Sequence, residues 1–127
     1  MPLTRISAPR HLTLNQVRAL ADAVQTGLVN TCKVPVDDRF QLIARFAPDE
    51  MILNPTFGGM NRTADACIVE ITFLQGRSDD QKRALYRCVA DEALAAGFNA
   101  DDIMIALSEN APIDWTLGRG LAFAGHM

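Results

Sequence analysis

Cysteines, histidines and acidic side chains are where chemistry could begin in this sequence, and their spacing removes most of the options. Cys32, Cys67 and Cys88 are odd in number, far apart and set in apolar or helical stretches. With no CxxC pair they predict neither a disulfide framework nor a zinc site. His11 and His126 stand near opposite ends of the sequence and offer no ligand pair at helical spacing, so no metal centre is expected. The sequence has no GxSxG, no P-loop and no GxGxxG, and Gly118-Arg119-Gly120 is too short to cradle a phosphate. The carboxylate doublets Asp37-Asp38 and Asp101-Asp102 recur 64 residues apart, and Arg77 stands directly ahead of a helix-capping serine. Taken alone, a turn role suits the aspartates, a solvated loop position suits the arginine, and a proline behind Met1 is common.

Elements must position these groups. Thr13-Leu14-Asn15-Gln16 is a capping box, in which a threonine hydroxyl and a glutamine side chain satisfy free backbone donors at a helix start. Behind it Leu14, Val17, Leu20, Ala21, Val24 and Leu28 recur at three- and four-residue steps, the apolar face of a helix running to about residue 31. Ser78-Asp79-Asp80-Gln81 repeats the box 65 residues later. Leu85, Cys88, Val89 and Ala93 continue that second helix, and Gly97 suits the residue after its cap. Each helix lies between extended segments, residues 3–6 and 39–46 around the first, 66–74 and 103–107 around the second. The aspartate doublets stand at corresponding places ahead of the two closing strands.

The chain therefore reads βαβ twice, in register. This predicts an α/β fold of duplicated β-α-β units with right-handed crossovers, forming a four-stranded, mainly parallel sheet with two helices on one face. Arg77 then falls at the carboxyl end of a strand, where ligands gather in open α/β sheets. Residues 47–62, with Pro48, Pro55, Gly58 and Gly59, read as a loop containing a short strand at 51–53. Residues 111–127, with Gly118, Gly120 and Gly125, read as a further loop, long enough to pack on a neighbouring subunit. A single helix layer leaves the other sheet face bare, so association into an oligomer is expected.

The 127 residues suit one domain, 1–127. Apolar residues make up 49% and charged residues 21%, an ordinary globular composition. Twelve basic against 15 acidic residues, a net charge of −3, give no electrostatic reason to expect a nucleic-acid partner. The start MPLTRISAPR lacks the apolar core of a signal peptide, and no stretch approaches the ~18 unbroken apolar residues of a membrane span. No membrane partner and a cytoplasmic location are expected.

A Met-Pro start feeding a strand, followed by two βαβ units around an intervening loop, resembles the tautomerase superfamily. Val34-Pro35-Val36-Asp37-Asp38-Arg39-Phe40-Gln41 is similar to the VPxxDRxQ segment of its malonate semialdehyde decarboxylase branch. Arg62-Thr63, then Gly76-Arg77-Ser78-Asp79-Asp80-Gln81-Lys82, then Glu109-Asn110 with Asp114-Trp115 follow in the same order, so the resemblance covers nearly the whole chain. It implies a homotrimer with active sites at subunit boundaries, no cofactor, a small carboxylate substrate, and an amino-terminal proline as acid or base. On that pattern Pro2 carries over as the catalytic amine, Asp38 as its acidic partner, and Arg77 as the cation for the substrate carboxylate. Gln75 and Trp115 are the further candidate substrate contacts, with a packing anchor as the other reading of Trp115, the one tryptophan in the chain. The decarboxylase branch carries a second arginine two residues ahead of Arg77, where this sequence has Gln75.

The implied chemistry has a physical basis. A free α-amino group titrates near ~7.7–8.0, against ~10.4 for lysine, and burial lowers such a value further. An amine of that kind serves as a base near neutral pH, but only if Met1 is removed, because a proline inside a peptide bond has no basic nitrogen. Such a residue would move a proton between the enol oxygen and the carbon of a keto acid held by Arg77. Asp38 would accept a proton or orient a water, with a turn role like that of Asp102 as its alternative. Arg39 and Arg62 are expected in ion pairs. Three other functions remain beside tautomerisation: a carboxy-lyase acting on a short 3-oxo acid, a hydratase, and a non-catalytic trimeric binding protein.

Overall fold

The computed structural model describes residues 1–123. Two repeats are laid out as expected. The first comprises strand β1 (Pro2–Pro9), helix α1 (Leu14–Cys32) and strand β2 (Phe40–Phe46); the second comprises β3 (Cys67–Leu74), α2 (Asp79–Ala95) and β4 (Ile103–Asn110). Both capping boxes form. Thr13 and Ser78 accept from the backbone N–H of Gln16 and Gln81, whose side chains return to the cap N–H. Gly97 follows the cap residue Ala96 at φ 98°, a left-handed turn that only glycine makes without strain.

β1 pairs with β2 in parallel, and β3 with β4 in parallel, as two crossover units should. The two units then join through β1 and β3, giving the order β2-β1-β3-β4. That central pairing is antiparallel, with Pro2 opposite Phe73 and Ser7 opposite Ile68. The start of β1 therefore lies against the end of β3.

Both helices cover one face of the sheet. Ile6, Ala8, Val69, Ile71 and Phe73 point into the layer formed by Val17, Leu20, Val24 and Leu28 of α1 and Leu85, Val89 and Ala93 of α2. The helices approach closely at Gly27, where an added Cβ would stand 2.8 Å from Val89 Cγ2 and 3.1 Å from Leu85 Cδ1. On the opposite face, Leu3, Phe40, Leu42 and Met104 are exposed, and Leu3 lies directly opposite Phe40 in the ladder. Among the described residues, no helix is long and apolar enough to cross a membrane.

Some expectations change. Residues 51–53 form no strand; a short 3-10 turn, Pro48–Glu50, comes first, because Pro48 suits the first turn and Glu50 accepts from the N–H of Ala47. The segment after β4 is not loop throughout. It contains a matching 3-10 turn, Pro112–Asp114, and an isolated bridge between Thr116 and Ala122. Gly125 and His126 lie outside the described residues. Arg39 pairs with Asp22 at 2.6 Å as expected, whereas Arg62 donates to the carbonyls of Asn54 and Phe57, bracing the loop rather than forming an ion pair.

The close approach at Gly27 yields a test. Gly27→Leu should destabilise the fold by at least ~1–3 kcal/mol, since both facing side chains sit in a packed core. A lower urea midpoint at unchanged slope would show it.

Candidate active site

Asp38 closes the turn that leads into β2. Its N–H donates to the Pro35 carbonyl at 3.0 Å, and the buried Gln25 side chain of α1 donates to the carbonyls of Asp38 at 3.2 Å and Val36 at 3.4 Å. These bonds pin the backbone and turn the carboxylate inward, where Asp38 is only 4% exposed. Its Oδ2 accepts from the Met1 ammonium at 2.6 Å, and Met1 is itself 6% exposed. The other oxygen, Oδ1, has no hydrogen-bond partner. A buried carboxylate is costly unless it is paired and fully hydrogen-bonded. This one has its ion pair and one oxygen still free to take a donor.

Arg77 is held from the opposite strand. β3 ends at Leu74, the Gln75 N–H donates to the Asn110 carbonyl at 2.8 Å, and Gly76 at φ 119° turns the chain towards the cap of α2. The Arg77 guanidinium donates to the carbonyls of Leu74 at 2.9 Å and Cys32 at 3.3 Å, and lies 4.8 Å from the centre of the Phe73 ring. These bonds engage two of its five N–H groups. Phe73 is fully buried and stands opposite Pro2 in the ladder, so the same aromatic residue underlies the guanidinium and the first residue of β1.

Gln75 is exposed at the strand end. Trp115 is partly buried, and its indole N–H donates to Asn110 Oδ1 at 2.6 Å. Beside them, Lys82 of α2 donates to Glu109 at 2.7 Å. That bond holds the Glu109 carboxyl below its ordinary value, helped by the Gly76 N–H and the Arg77 charge, and holds the Lys82 ammonium above its own. The antiparallel pairing thus collects Pro2, Asp38, Gln75, Arg77 and Trp115 at one end of the sheet. Gln25, Lys82, Glu109 and Asn110 join them without having been singled out for such a role by sequence. Lys82, Glu109 and Asn110 stand in the sequence only as members of the ordered motifs, with no role attached to them.

Residues 38–118 match the family described as tautomerase enzyme. The chain belongs to that family. A probable tautomerase of Bacillus subtilis (strain 168), YusQ, is 28% identical over 96% of this chain and 97% of its own length. The structure of the FG41 malonate semialdehyde decarboxylase inhibited by 3-bromopropiolate superposes with a TM-score of 0.88, at 31% identity, covering 94% of this chain and 91% of that one. A fused 4-OT wild-type symmetric trimer shares the fold at a TM-score of 0.77 and 19% identity, covering 97% of each chain. The protein is a tautomerase-type enzyme.

The duplication within this tautomerase gives the candidate site a counterpart at the opposite end of the sheet. Ala47-Pro48 and Ala111-Pro112 open identical turns, closed by Glu50 and Asp114 accepting from the alanine N–H at 2.9 Å. Asp102 corresponds to Asp38, but both its oxygens are taken, by the Thr63 N–H at 2.7 Å and the Thr63 hydroxyl at 2.6 Å. Cys67 opens β3 as Pro2 opens β1. Burial first, and then the charges of Asp102 and Asp65, push its thiol from 9.0 up to about 12. A thiol so protonated is a poor nucleophile.

The sign of that shift sets a pH dependence. The folded state keeps a proton that the unfolded chain releases, so the stability associated with the neutral thiol is complete below pH 9.0 and is lost as pH rises from there through about 12. In the native protein at about pH 8, Cys67 should resist iodoacetamide, and it should react once the chain is unfolded in urea. Peptide mass mapping of the two samples is the check.

Proposed function

We propose that the chain, once Met1 is removed, is a cofactor-independent tautomerase of small carboxylated enol and keto acids, with Pro2 as its acid–base group. The observation that carries this reading is the chain's own ammonium, buried 2.6 Å from the Asp38 carboxylate in a member of the tautomerase family. Cleavage after Met1 passes the free amine to Pro2, whose nitrogen is fixed by the ring and by the pairing of β1 with β3. Loss of the Met1 side chain would also open the buried space that it fills beside Asp38.

In this reading Arg77 binds the substrate carboxylate through the N–H groups it does not spend on Leu74 and Cys32, as a fork-to-fork pair. Gln75 donates a neutral hydrogen bond to the same group, and Trp115 forms a wall. The Pro2 nitrogen takes the proton of the enol hydroxyl and returns it to the carbon, leaving a ketone. Asp38 stabilises the protonated amine in between, and its free Oδ1 takes a proton or a water-borne hydrogen bond.

The decarboxylase relative favours a second reading, carbon–carbon cleavage of a short 3-oxo acid. Cleavage builds charge on the carbonyl oxygen as carbon dioxide leaves, and a second cation would stabilise it. Gln75 supplies only a neutral donor, so tautomerisation ranks first. The assembly we propose is a homotrimer. It is supported by the exposed Leu3, Phe40, Leu42 and Met104 on the open sheet face and by the trimer of fused 4-OT with the same fold.

Processed protein, verified by intact mass, should tautomerise phenylenolpyruvate or 2-hydroxymuconate faster than it decarboxylates malonate semialdehyde. Arg77→Ala should lower kcat/KM for the enol acids about a hundredfold, and Gln75→Arg should raise decarboxylation. Equal rates from Met1-retaining and processed protein would exclude Pro2 as the base. For the assembly, light scattering should return three times the chain mass, and Leu42→Glu on the open face should return a smaller species.

A further inference from the structure

Asn110, the last residue of β4, is bonded to two groups far apart in sequence. Its backbone carbonyl accepts the Gln75 N–H at 2.8 Å, and its side-chain Oδ1 accepts the Trp115 indole N–H at 2.6 Å. Its partner across the ladder, Leu74, provides the carbonyl that receives Arg77 at 2.9 Å. Gln75, Arg77 and Trp115 therefore all hang on a single register pair. Beside the turn between Gln75 and Arg77, the neighbouring residue Glu109 accepts from Lys82 of α2 at 2.7 Å.

An indole has one polar group, so the bond to Asn110 is the sole directional restraint that Trp115's side chain can have. Without it the ring loses the hydrogen bond that fixes its tilt. The amide of Asn110, by contrast, could be replaced by any acceptor of the same reach. The rest of the turn that bears Trp115 is independent of this amide, being closed by Asp114 on the Ala111 N–H and by the Trp115 N–H on the Pro112 carbonyl. The Asn110 side chain thus restrains the ring and leaves the backbone of its turn to other bonds.

We propose that Asn110 is a positioning residue of the carboxylate site. Through two acceptors it keeps the Trp115 ring in register with the turn that carries Gln75 and Arg77, so that the wall and the guanidinium hold one spacing and select acids of a matching size. This rests on the reading of Arg77 and Trp115 as substrate contacts.

Trp115 is the chain's one tryptophan, which allows the ring to be read directly by its emission. Asn110→Leu should shift the emission to the red and raise KM for phenylenolpyruvate roughly tenfold, with kcat changed by less than about twofold. Asn110→Asp keeps an acceptor at the same reach and should retain the native emission and a KM within about threefold of wild type. In combination with Trp115→Phe, which removes the donor and keeps a ring, Asn110→Leu should add little. Native emission in Asn110→Leu, equal damage from the aspartate and leucine variants, or full additivity with Trp115→Phe would each overturn the proposal. If Asn110→Leu fails to fold by circular dichroism, Trp115→Phe decides, because it breaks the same bond from the other side; an unchanged KM there would overturn the proposal. Should processed wild type turn over no enol acid, the functional reading fails, and the emission of the Asn110 variants still decides the positioning.

Discussion

The antiparallel pairing of β1 with β3 is the contact on which the rest of the arrangement depends. Each βαβ repeat by itself places a strand start and a strand end at opposite poles of the sheet, because its two strands run the same way. Joining the repeats head to tail brings the start of β1 beside the end of β3, with Pro2 opposite Phe73. From that one register follows the approach of the chain's first residues to Arg77, because Phe73, which lies beneath the guanidinium, is the residue opposite Pro2.

The same symmetry gives two ends of one sheet with unequal chemistry. Asp38 and Asp102 are both buried ahead of a closing strand, yet they face different donors. Thr63 saturates Asp102 with a hydroxyl and a backbone N–H, which turns a costly buried carboxylate into a brace for the connecting loop. Asp38 receives a single charged donor, the chain's own ammonium, and keeps one oxygen unpaired. Both oxygens of Asp102 are thereby committed to the loop, whereas Oδ1 of Asp38 has no protein partner. Cys67 completes the contrast, since its burial near two aspartates keeps the thiol protonated.

Layering imposes a second constraint. Two helices cover only one face of a four-stranded sheet, and the other carries a charged pair, Arg5 opposite Glu70, among apolar residues. The inner layer is tight at Gly27, where an added Cβ would meet Val89 and Leu85, and strand alternation turns every second side chain of β1 away from that layer. Leu3, Phe40, Leu42 and Met104 must therefore meet solvent or another chain.

Local rules made the elements legible. A capping box acts over three residues and an apolar helix face over a few turns, so Thr13, Ser78 and the stripes behind them declared both helices, and the parallel pairing within each repeat followed from chain connectivity. Residues 51–53 misled because a short apolar run resembles a strand until a partner is sought, and these residues pair with none of the four strands. Composition and spacing also determined the absence of familiar nucleophile and phosphate motifs, and the order of motifs pointed to Pro2, Asp38, Arg77, Gln75 and Trp115. Only the tertiary structure decided that these five lie at one pole, that Asp38 meets the chain's ammonium with Oδ2 and leaves Oδ1 unpartnered, and that Asn110 joins Gln75 to Trp115. The first of these follows from how the two repeats dock, and the others from bonds within a repeat, Met1 to Asp38 in the first and Gln75 to Asn110 to Trp115 in the second, whose distances and orientations no local pattern encodes.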